Sequence, residues 1–199
     1  MTGIRQTLRH HLYGLAAGQS GYFTAAQALD LGFSYQAQKY HVDHENWQRV
    51  ERGIFRLPEW PVGRHDSMIL RVLWSKDRGV ISHDSAAAAF NIGDANPNKT
   101  HLTVDAGFRK RDPRVVLHFG SLRSGDITRF EGVTITTALR TVLDIACTHY
   151  DEEFVVGTLV DAIDHAGVRP RQIEARLHEL PDAAQTVLRR GLDATASAR

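Results

Sequence analysis

The stretch Gly21–Leu57, GYFTAAQALDLGFSYQAQKYHVDHENWQRVERGIFRL, decides the fold of the first part of the chain. Thr24 stands before one short helical pattern and Ser34 before a second. The hydroxyl of each residue can accept a hydrogen bond from the free N–H groups of the following turn. Gly32 separates the two patterns, because glycine readily ends a helix. The stretch therefore predicts two short capped helices, the second over residues 35–46.

Two short strands follow these helices. They are predicted over Trp47–Glu51 and Ile54–Leu57, where Val50, Ile54 and Leu57 supply inward-facing apolar side chains, and Arg52 and Gly53 between them form a turn signal. A helical pattern over residues 4–17 precedes the whole stretch. Its apolar side is formed by Ile4, Leu8, Leu12 and Leu15.

Three helices followed by a hairpin is the order of a winged helix-turn-helix, and we predict this domain for residues 1–61. The third helix of such a domain presents polar side chains to base edges in the major groove, while the hairpin contacts the DNA backbone. Glutamine pairs with adenine through two hydrogen bonds, and lysine binds guanine or phosphate. The predicted DNA-binding residues are Tyr35, Gln36, Lys39 and Tyr40 of the third helix, the caps Thr24 and Ser34, and the hairpin residues Arg49, Arg52 and Arg56.

The charge of the chain restricts how it can bind DNA. The whole sequence carries a net charge of +1, and residues 1–61 contain six Lys or Arg against five Asp or Glu. Binding must therefore come from local placement of charge, because there is no generally basic surface. Asp43, Glu45 and Glu51 lie near the predicted face and would repel phosphate. The pattern leaves open an alternative, in which the helix-turn-helix only binds another protein.

The remainder of the chain mixes strands and helices and then ends in helices. The β-rich segments are GVISH, KTHLTV, RVVLHFG and ITRFEGVTITT, and the last helical segments are ALRTVLDIACTHY, EEFVVGTLVDAIDHAG and PRQIEARLHEL. The sequence therefore predicts an α+β fold, with a second, mixed α/β domain over residues 62–199. Thr137 is predicted to cap the helix that carries Arg140 and Asp144, which we expect to form an internal pair.

Three absences in the sequence set its expected compartment. The single cysteine, Cys147, excludes an internal disulfide framework. No segment approaches the roughly 20 apolar residues that span a membrane. The first residues contain scattered charges and no apolar signal core. We therefore expect a cytoplasmic protein that does not bind membranes.

Several blocks of the sequence resemble the AbiEi family of bacterial antitoxins. They are QKYHVDHENWQRVERGIFRLPEWP, GVISHDSAAAAFNIGDANPNKTHLTV, RVVLHFG and VTITTALRTVLDIA, and they span about residues 20–150 in the family's order. The resemblance implies a two-domain antitoxin of a type IV toxin–antitoxin pair. It implies that the winged helix binds double-stranded DNA of the pair's own promoter and represses it. The second domain would counteract a nucleotidyltransferase-like toxin, and no cofactor or catalytic residue is implied.

The resemblance also assigns roles within the first domain. It places DNA reading on Tyr35–His41 and the wing on Arg49–Arg56, so His41 joins the predicted DNA-binding residues. The family often has a glycine where this chain has Glu45, at the end of the third helix. Ala86–Ala89 also replace a more varied apolar segment.

The sequence offers little for an enzyme. His41 and His44 have the spacing of one helix face, but metal sites use three or four ligands and nothing fixes the others. The segment SHDS, Ser82–Ser85, contains Ser, His and Asp, yet the members of a catalytic triad usually come from separate elements. We predict no catalytic residue, no metal and no enzymatic activity.

A nuclease-family relative is the remaining alternative. The first domain and the block VTITTALRTVLDIA also resemble the front half of bacterial proteins that end in a Vsr-like nuclease domain. That domain needs a late cluster of acidic residues with a lysine to hold Mg²⁺. No lysine follows Thr148 in this chain. If the nuclease resemblance holds, the catalytic domain is missing.

Overall fold

The computed structural model describes residues 2–149 and 151–197. The chain forms two compact units, one of Met1–Asp77 with Glu131–Val133 and the other of Arg78–Phe130 with Thr134–Arg199. The helices and strands before Asp77 are α1 (Thr2–Ala17), β1 (Tyr22–Thr24), α2 (Ala25–Asp30), α3 (Tyr35–Asp43), β2 (Gln48–Glu51), β3 (Ile54–Arg56) and α4 (Asp66–Trp74).

The first unit contains a three-stranded antiparallel sheet in the order β1-β3-β2. The predicted hairpin is present: Glu51 pairs with Ile54, and Arg52 and Gly53 form the turn between them. Gly53 has a φ of +73°, a conformation that glycine adopts without steric cost. The strand β1 pairs with the far side of β3, so β3 is the central strand.

Aromatic side chains form the core of the first unit. The ring of Trp47 meets Phe23 edge to face at 4.8 Å between centroids, and it meets Phe33 at 5.2 Å. Burying one large apolar side chain contributes roughly 1.5–3 kcal/mol, so this group holds the helices on the sheet. The side chain of Ile4, predicted to share the inner side of α1, lies outside the described residues. The buried members of the core are Leu12, Ala16, Phe23, Ala28, Phe33, Trp47, Phe55 and Leu57.

Gly21 makes a close approach between the end of α1 and the segment after β3. Its N–H donates to the carbonyl of Ala16 at 2.8 Å, and its own carbonyl accepts from the N–H of Leu57 at 2.9 Å. Its φ is +84°, and a Cβ added to it would lie 2.5 Å from the Cβ of Trp60. Both the backbone angle and the space therefore require glycine.

The helix α4 belongs to the first unit, although the predicted division at Pro61 assigns it to the second. Tyr22 of β1 donates its hydroxyl to the carboxylate of Asp66 at 3.0 Å, and buried Arg71 pairs with Glu51 of β2. Burial, followed by the bond to Asp66, raises the pKa of Tyr22 to about 12. These contacts join α4 to the sheet, so the unit continues to Asp77.

The remaining elements form the second sheet and a helical layer. The sheet has the order β6-β5-β4-β8-β7, with β4 antiparallel to β5 and parallel to β8. The fold is α+β, as predicted. The elements are β4 (Gly79–Ile81), α5 (His83–Phe90), β5 (Thr100–Val104), β6 (Val115–Phe119), β7 (Ile127–Phe130), β8 (Val133–Thr136), α6 (Ala138–Thr148), α7 (Glu152–His165), α8 (Pro170–Glu174) and α9 (Asp182–Ser197).

The helices of the second unit pack on one apolar core. Its buried side chains include Val142, Ile145, Leu159 and Ile173, and α9 contributes Leu188. The sequence pattern predicts no helix at α9, and it predicts a longer α8 than the five-residue helix observed. Within the described part of the chain, no helix combines the length and apolar character that crossing a membrane requires.

The predicted pair in α6 is present and forms part of a larger ionic group. The hydroxyl of Thr137 accepts from the N–H of Arg140 at 3.3 Å, which caps the helix. The Nε of Arg140 donates to Asp144 at 2.8 Å, and its Nη1 donates to buried Asp126 at 3.3 Å. Arg176 also pairs with Asp126. The prediction of an internal structural pair is therefore confirmed.

Candidate functional site

One face of α3 presents four polar or aromatic side chains to solvent. Tyr35, Gln36, Lys39 and Tyr40 are all exposed, and Tyr35 is 70% accessible. Their spacing of i, i+1, i+4 and i+5 places them within less than half of the helix circumference. Such a surface offers hydrogen-bond donors, acceptors and a cation side by side.

The opposite face of α3 is held by Gln38, a residue outside the predicted DNA-binding set. The side-chain amide of Gln38 is buried, and it donates to the carbonyl of Phe33 at 3.0 Å and to that of Ala25 at 3.1 Å. Ala25 begins α2, so one amide joins both helices and the turn between them. Burying an unpaired amide is costly, and these bonds therefore fix the angle of α3. The one signal in the sequence is helical spacing, which puts Gln38 on a different side of α3 from the exposed Gln36.

Both predicted caps are formed. The hydroxyl of Thr24 accepts from the N–H of Gln27 at 3.1 Å, and the Gln27 side chain accepts from the N–H of Thr24 at 2.8 Å. The hydroxyl of Ser34 accepts from the N–H of Ala37 at 3.2 Å. These bonds fix where α2 and α3 begin, and Ser34 lies exposed at the start of the polar face of α3.

The acidic residues near α3 have different surroundings. Asp43 lies 2.6 Å from the Nζ of Lys39, and Glu51 pairs with buried Arg71. Glu45 is exposed and has a φ of +58°, a left-handed conformation that costs most residues roughly 1–2 kcal/mol. Because Glu51 is paired with Arg71, two negative charges remain near the exposed face of α3. They are Asp43, which partly neutralises Lys39, and Glu45.

His41 lies off the exposed face of α3. Its ring stacks on Trp47 at 4.6 Å between centroids, and its Nδ1 is buried without a hydrogen-bond partner. Burial lowers the pKa of His41, with smaller effects from Arg9 and His44. The position is that of a packing residue, which corrects the expected role of His41 in contacting DNA.

The three hairpin arginines divide into two exposed and one buried. Arg49 and Arg52 are exposed, with Arg52 at the turn. Arg56 is only 8% accessible: its Nη2 donates to the carbonyl of Trp60 at 2.6 Å, and its guanidinium lies over the ring of Tyr22. Arg56 is therefore removed from the predicted DNA-contacting set. The physical reason is that β1 makes β3 a central strand, whereas the hairpin alone would leave Arg56 at an edge.

The second unit contains a buried polar group around Ser82–Asp84. The Nδ1 of His83 lies 2.9 Å from the hydroxyl of Ser82, and the His83 ring stacks on His118 at 3.4 Å. His118 in turn lies 3.2 Å from a ring nitrogen of His101. His101 lies on β5, His118 on β6 and His83 at the start of α5, so tertiary structure brings these imidazoles together, which sequence spacing cannot show.

These histidines are held in their neutral form. Burial, reinforced first by His118, lowers the pKa of His83 to about 2. Burial, reinforced by His101, lowers the pKa of His118 to about 4. Asp84 accepts from His149 at 2.6 Å and opposes part of the downward shift at His101 and His118. Neutral imidazoles that bond one another stabilise the interior without any ligand.

No set of metal ligands is assembled within the described residues. Among them, no group of three or more His, Cys, Asp or Glu side chains is arranged to hold a metal ion. The residues Ser82, His83 and Asp84 are neighbours along the chain, but the Asp84 carboxylate bonds His149 rather than His83. The arrangement is thus not that of a Ser-His-Asp triad.

Comparison with known proteins places the chain by fold only. No protein-family model matches it, and no curated protein is significantly similar to it. Among solved structures, the crystal structure of the RV2827C protein from Mycobacterium tuberculosis is similar, with a TM-score of 0.58 and 14% sequence identity. The similarity covers 92% of this chain and 74% of that one. At this identity, it shows a shared fold and no more.

Proposed function

We propose that the first unit is a winged helix-turn-helix that binds double-stranded DNA, and that the chain is the antitoxin and autorepressor of a type IV toxin–antitoxin pair. The observation that supports DNA binding most strongly is the exposed face of Tyr35, Gln36, Lys39 and Tyr40 on α3. Buried Gln38 holds the other side of the same helix. A rigid helix with one open polar face meets the geometric need of a major-groove reader.

Each exposed side chain has a chemical role in this proposal. Gln36 pairs with adenine, and Lys39 binds guanine or a phosphate. The hairpin residues Arg49 and Arg52 contact the backbone beside the groove. The N-terminus of α3, capped by Ser34, directs its free N–H groups toward a phosphate.

The antitoxin role rests on the resemblance to the AbiEi family over about residues 20–150. The second unit would counteract a nucleotidyltransferase-like toxin encoded beside this chain, without catalysis and in the cytoplasm. Production of that toxin alone should stop growth, and production with this chain should restore it. Growth arrest that persists with the full chain present would contradict the antitoxin role.

Gel shift on the DNA upstream of the gene tests the DNA-binding role. The double variant Lys39→Ala plus Arg52→Ala should weaken binding and reduce the slope of log affinity against log salt by about 2, because two phosphate contacts are lost. The matched control is Arg171→Ala plus Arg189→Ala, which removes two exposed cations of the second unit. Equal loss in both variants would contradict the assignment of the site to α3 and the hairpin.

A second candidate function has its own supporting observation. Tyr35 and Tyr40 are large exposed aromatic residues, and Asp43 neutralises part of the charge of Lys39. Aromatic surfaces with little net charge are typical of protein-binding sites. If the intact protein fails to shift its upstream DNA but Tyr35→Ala abolishes toxin neutralisation, the face of α3 binds protein.

A further inference from the structure

The strand β6 forms one edge of the five-stranded sheet, and no strand of the described residues pairs with its outer side. The N–H of Thr100 bonds the carbonyl of Arg114 at 2.9 Å, and the N–H of Gly120 bonds the carbonyl of Val104 at 3.1 Å. With the parallel register between β5 and β6, these bonds show that the backbone N–H and C=O groups of Val116 and His118 point toward β5. The backbone groups of the alternate residues, Val115, Leu117 and Phe119, therefore point away from the sheet.

The residues with outward backbone groups are also apolar. Val115, Leu117 and Phe119 share one face of β6, because side chains alternate along a strand. The first two are half-buried, and Phe119 is 51% exposed, although it is a large aromatic residue. The N–H of Val115 bonds the carbonyl of Asp112 at 3.0 Å, so the backbone groups that remain for a partner are those of Leu117 and Phe119. An apolar edge with such open backbone groups is a template for another strand, and proteins usually protect such edges.

A cationic segment leads into this edge. Between Gly107 and Arg114 the sequence is GFRKRDPR, with four basic residues against one acidic residue. Arg109 donates to the carbonyl of Ala106 at 2.6 Å, and Arg111 donates to that of Lys110 at 3.0 Å. These carbonyls are uncharged, so neither bond brings a negative charge to the guanidinium group that donates it. Arg111 also lies over the exposed ring of Phe119.

We propose that β6 is the docking edge for an extended, acidic segment of a protein partner. The segment adds to the sheet as a further strand and bonds the backbone of Leu117 and Phe119. Its apolar side chains cover the outer face of β6, and its carboxylates pair with Arg109 and Arg111. Outward backbone groups recognise a peptide rather than a nucleic acid, because strand addition is a peptide-specific mode of recognition. This surface is independent of the DNA-binding role proposed for α3.

A defined peptide tests the proposal on the full chain. The probe is a fluorescent peptide of about eight residues, with a Val-rich centre flanked by Glu residues, a length that matches a short strand. Its binding is measured by anisotropy. One comparison peptide has a central proline, which cannot donate to a strand ladder, and a second has Lys in place of Glu. The acidic peptide should bind at least tenfold more tightly than either comparison peptide.

Matched variants locate the binding surface. Arg109→Glu plus Arg111→Glu should weaken binding of the acidic peptide at least tenfold. Arg171→Glu plus Arg189→Glu makes the same change in net charge at exposed helical positions of the second unit. This control should leave the affinity for the acidic peptide within twofold of that of the wild type. If both double variants weaken binding equally, or if the proline peptide binds as well as the intact one, the proposal is overturned.

Hydrogen exchange supplies the structural readout. Peptide binding should slow exchange at the amides of Leu117 and Phe119, which the sheet leaves open, and leave Val116 and His118 unchanged. Protection that appears only outside β6 would overturn the proposal. A dimer in sedimentation equilibrium that dissociates in the Arg109 and Arg111 double variant would also overturn it, because the occupant would then be a second copy of the chain.

Discussion

In α3, the Nζ of Lys39 lies 2.6 Å from the carboxylate of Asp43 one turn further along the helix, and both side chains are exposed. The cation on the proposed DNA-binding face is thus partly neutralised by its own helix. Exposed pairs of this kind stabilise a protein by only about 0.3–0.5 kcal/mol. Asp43 therefore affects ligand affinity more than folding.

Asp43→Asn should strengthen binding to the upstream DNA. Removing the carboxylate frees Lys39 for phosphate and removes a repulsion, so affinity at low salt should rise roughly three- to tenfold, as for a gain of about 1 kcal/mol. Anisotropy titrations at several salt concentrations measure the change. Asp193→Asn, an exposed position of α9, gives the same change in net charge and should have no effect. Unchanged affinity in Asp43→Asn would count against α3 as the binding face.

Gln38→Ala and Gln36→Ala should have opposite effects, although the residues lie on the same helix. Gln38→Ala leaves the carbonyls of Phe33 and Ala25 without their donor and should lower the free energy of unfolding by about 1–3 kcal/mol. Gln36→Ala should change it by less than about 0.5 kcal/mol, because the side chain is exposed. Gln36→Ala should instead weaken DNA binding about tenfold or more, as for a lost base contact. Urea denaturation and anisotropy separate the two cases.

Glu45→Gly should stabilise the first unit. Glycine relieves the left-handed strain at φ +58°, and its larger unfolded-state entropy offsets part of that gain. We expect an increase of about 0.5–1 kcal/mol in the free energy of unfolding. Glu45→Ala removes the same charge without relieving the strain, and it should not stabilise. If the two variants are equally stable, charge rather than backbone conformation determines the effect.

Acid should destabilise the chain through its buried histidines. The pKa of His83 is about 2 and that of His118 about 4, against an ordinary value of 6.5. The unfolded chain binds protons below pH 6.5 while these folded imidazoles stay neutral. Stability is therefore fully present above pH 6.5 and falls as the pH is lowered. His118→Gln should flatten this loss by up to about 1.4 kcal/mol per pH unit between pH 6.5 and 5, and exposed His178→Gln should not.

Asp144 should show the reverse pH dependence. Burial raises its pKa from 3.8 to about 6 against the opposing effect of Arg140, and its Oδ2 is buried without a hydrogen-bond partner. A raised acid pKa stabilises the fold below pH 3.8, and this stabilisation is lost as the pH rises through 6. Asp144→Asn does not titrate, so its stability relative to the wild type should improve by about 1–3 kcal/mol from pH 4 to 7. Denaturation curves of both proteins at each pH provide the comparison, with Asp193→Asn as the control. A difference that is constant with pH would contradict the shifted pKa.

Local chemistry was predictable from the sequence. The caps Thr24 and Ser34, the Arg52-Gly53 turn and the exposed side of α3 each depend on residues within a few positions of one another. The pair of Arg140 and Asp144 is of the same kind, since its members lie one helical turn apart. Such features follow from backbone geometry before any tertiary contact forms.

Long-range pairing was not predictable from these patterns. Arg56 is buried because β1 pairs beside β3, and the sequence gives only a three-residue strand as a signal. Gln36 and Gln38 are the same residue type on the same helix, and only the packing of α2 against α3 gives them different roles. The histidines at positions 83, 101 and 118 come together because the register of β5 and β6 sets His101 near His118 and α5 begins beside them, which spacing along the chain does not encode.

The approach of Gly21 to Trp60 has a consequence for relatives of this chain. A methyl group at position 21 would occupy the space of the indole side chain, so a replacement there should be accompanied by a smaller residue at position 60. When homologous sequences are aligned, the two columns should covary, with glycine retained wherever the tryptophan is. In a deep mutational scan, every substitution at position 21 should be depleted.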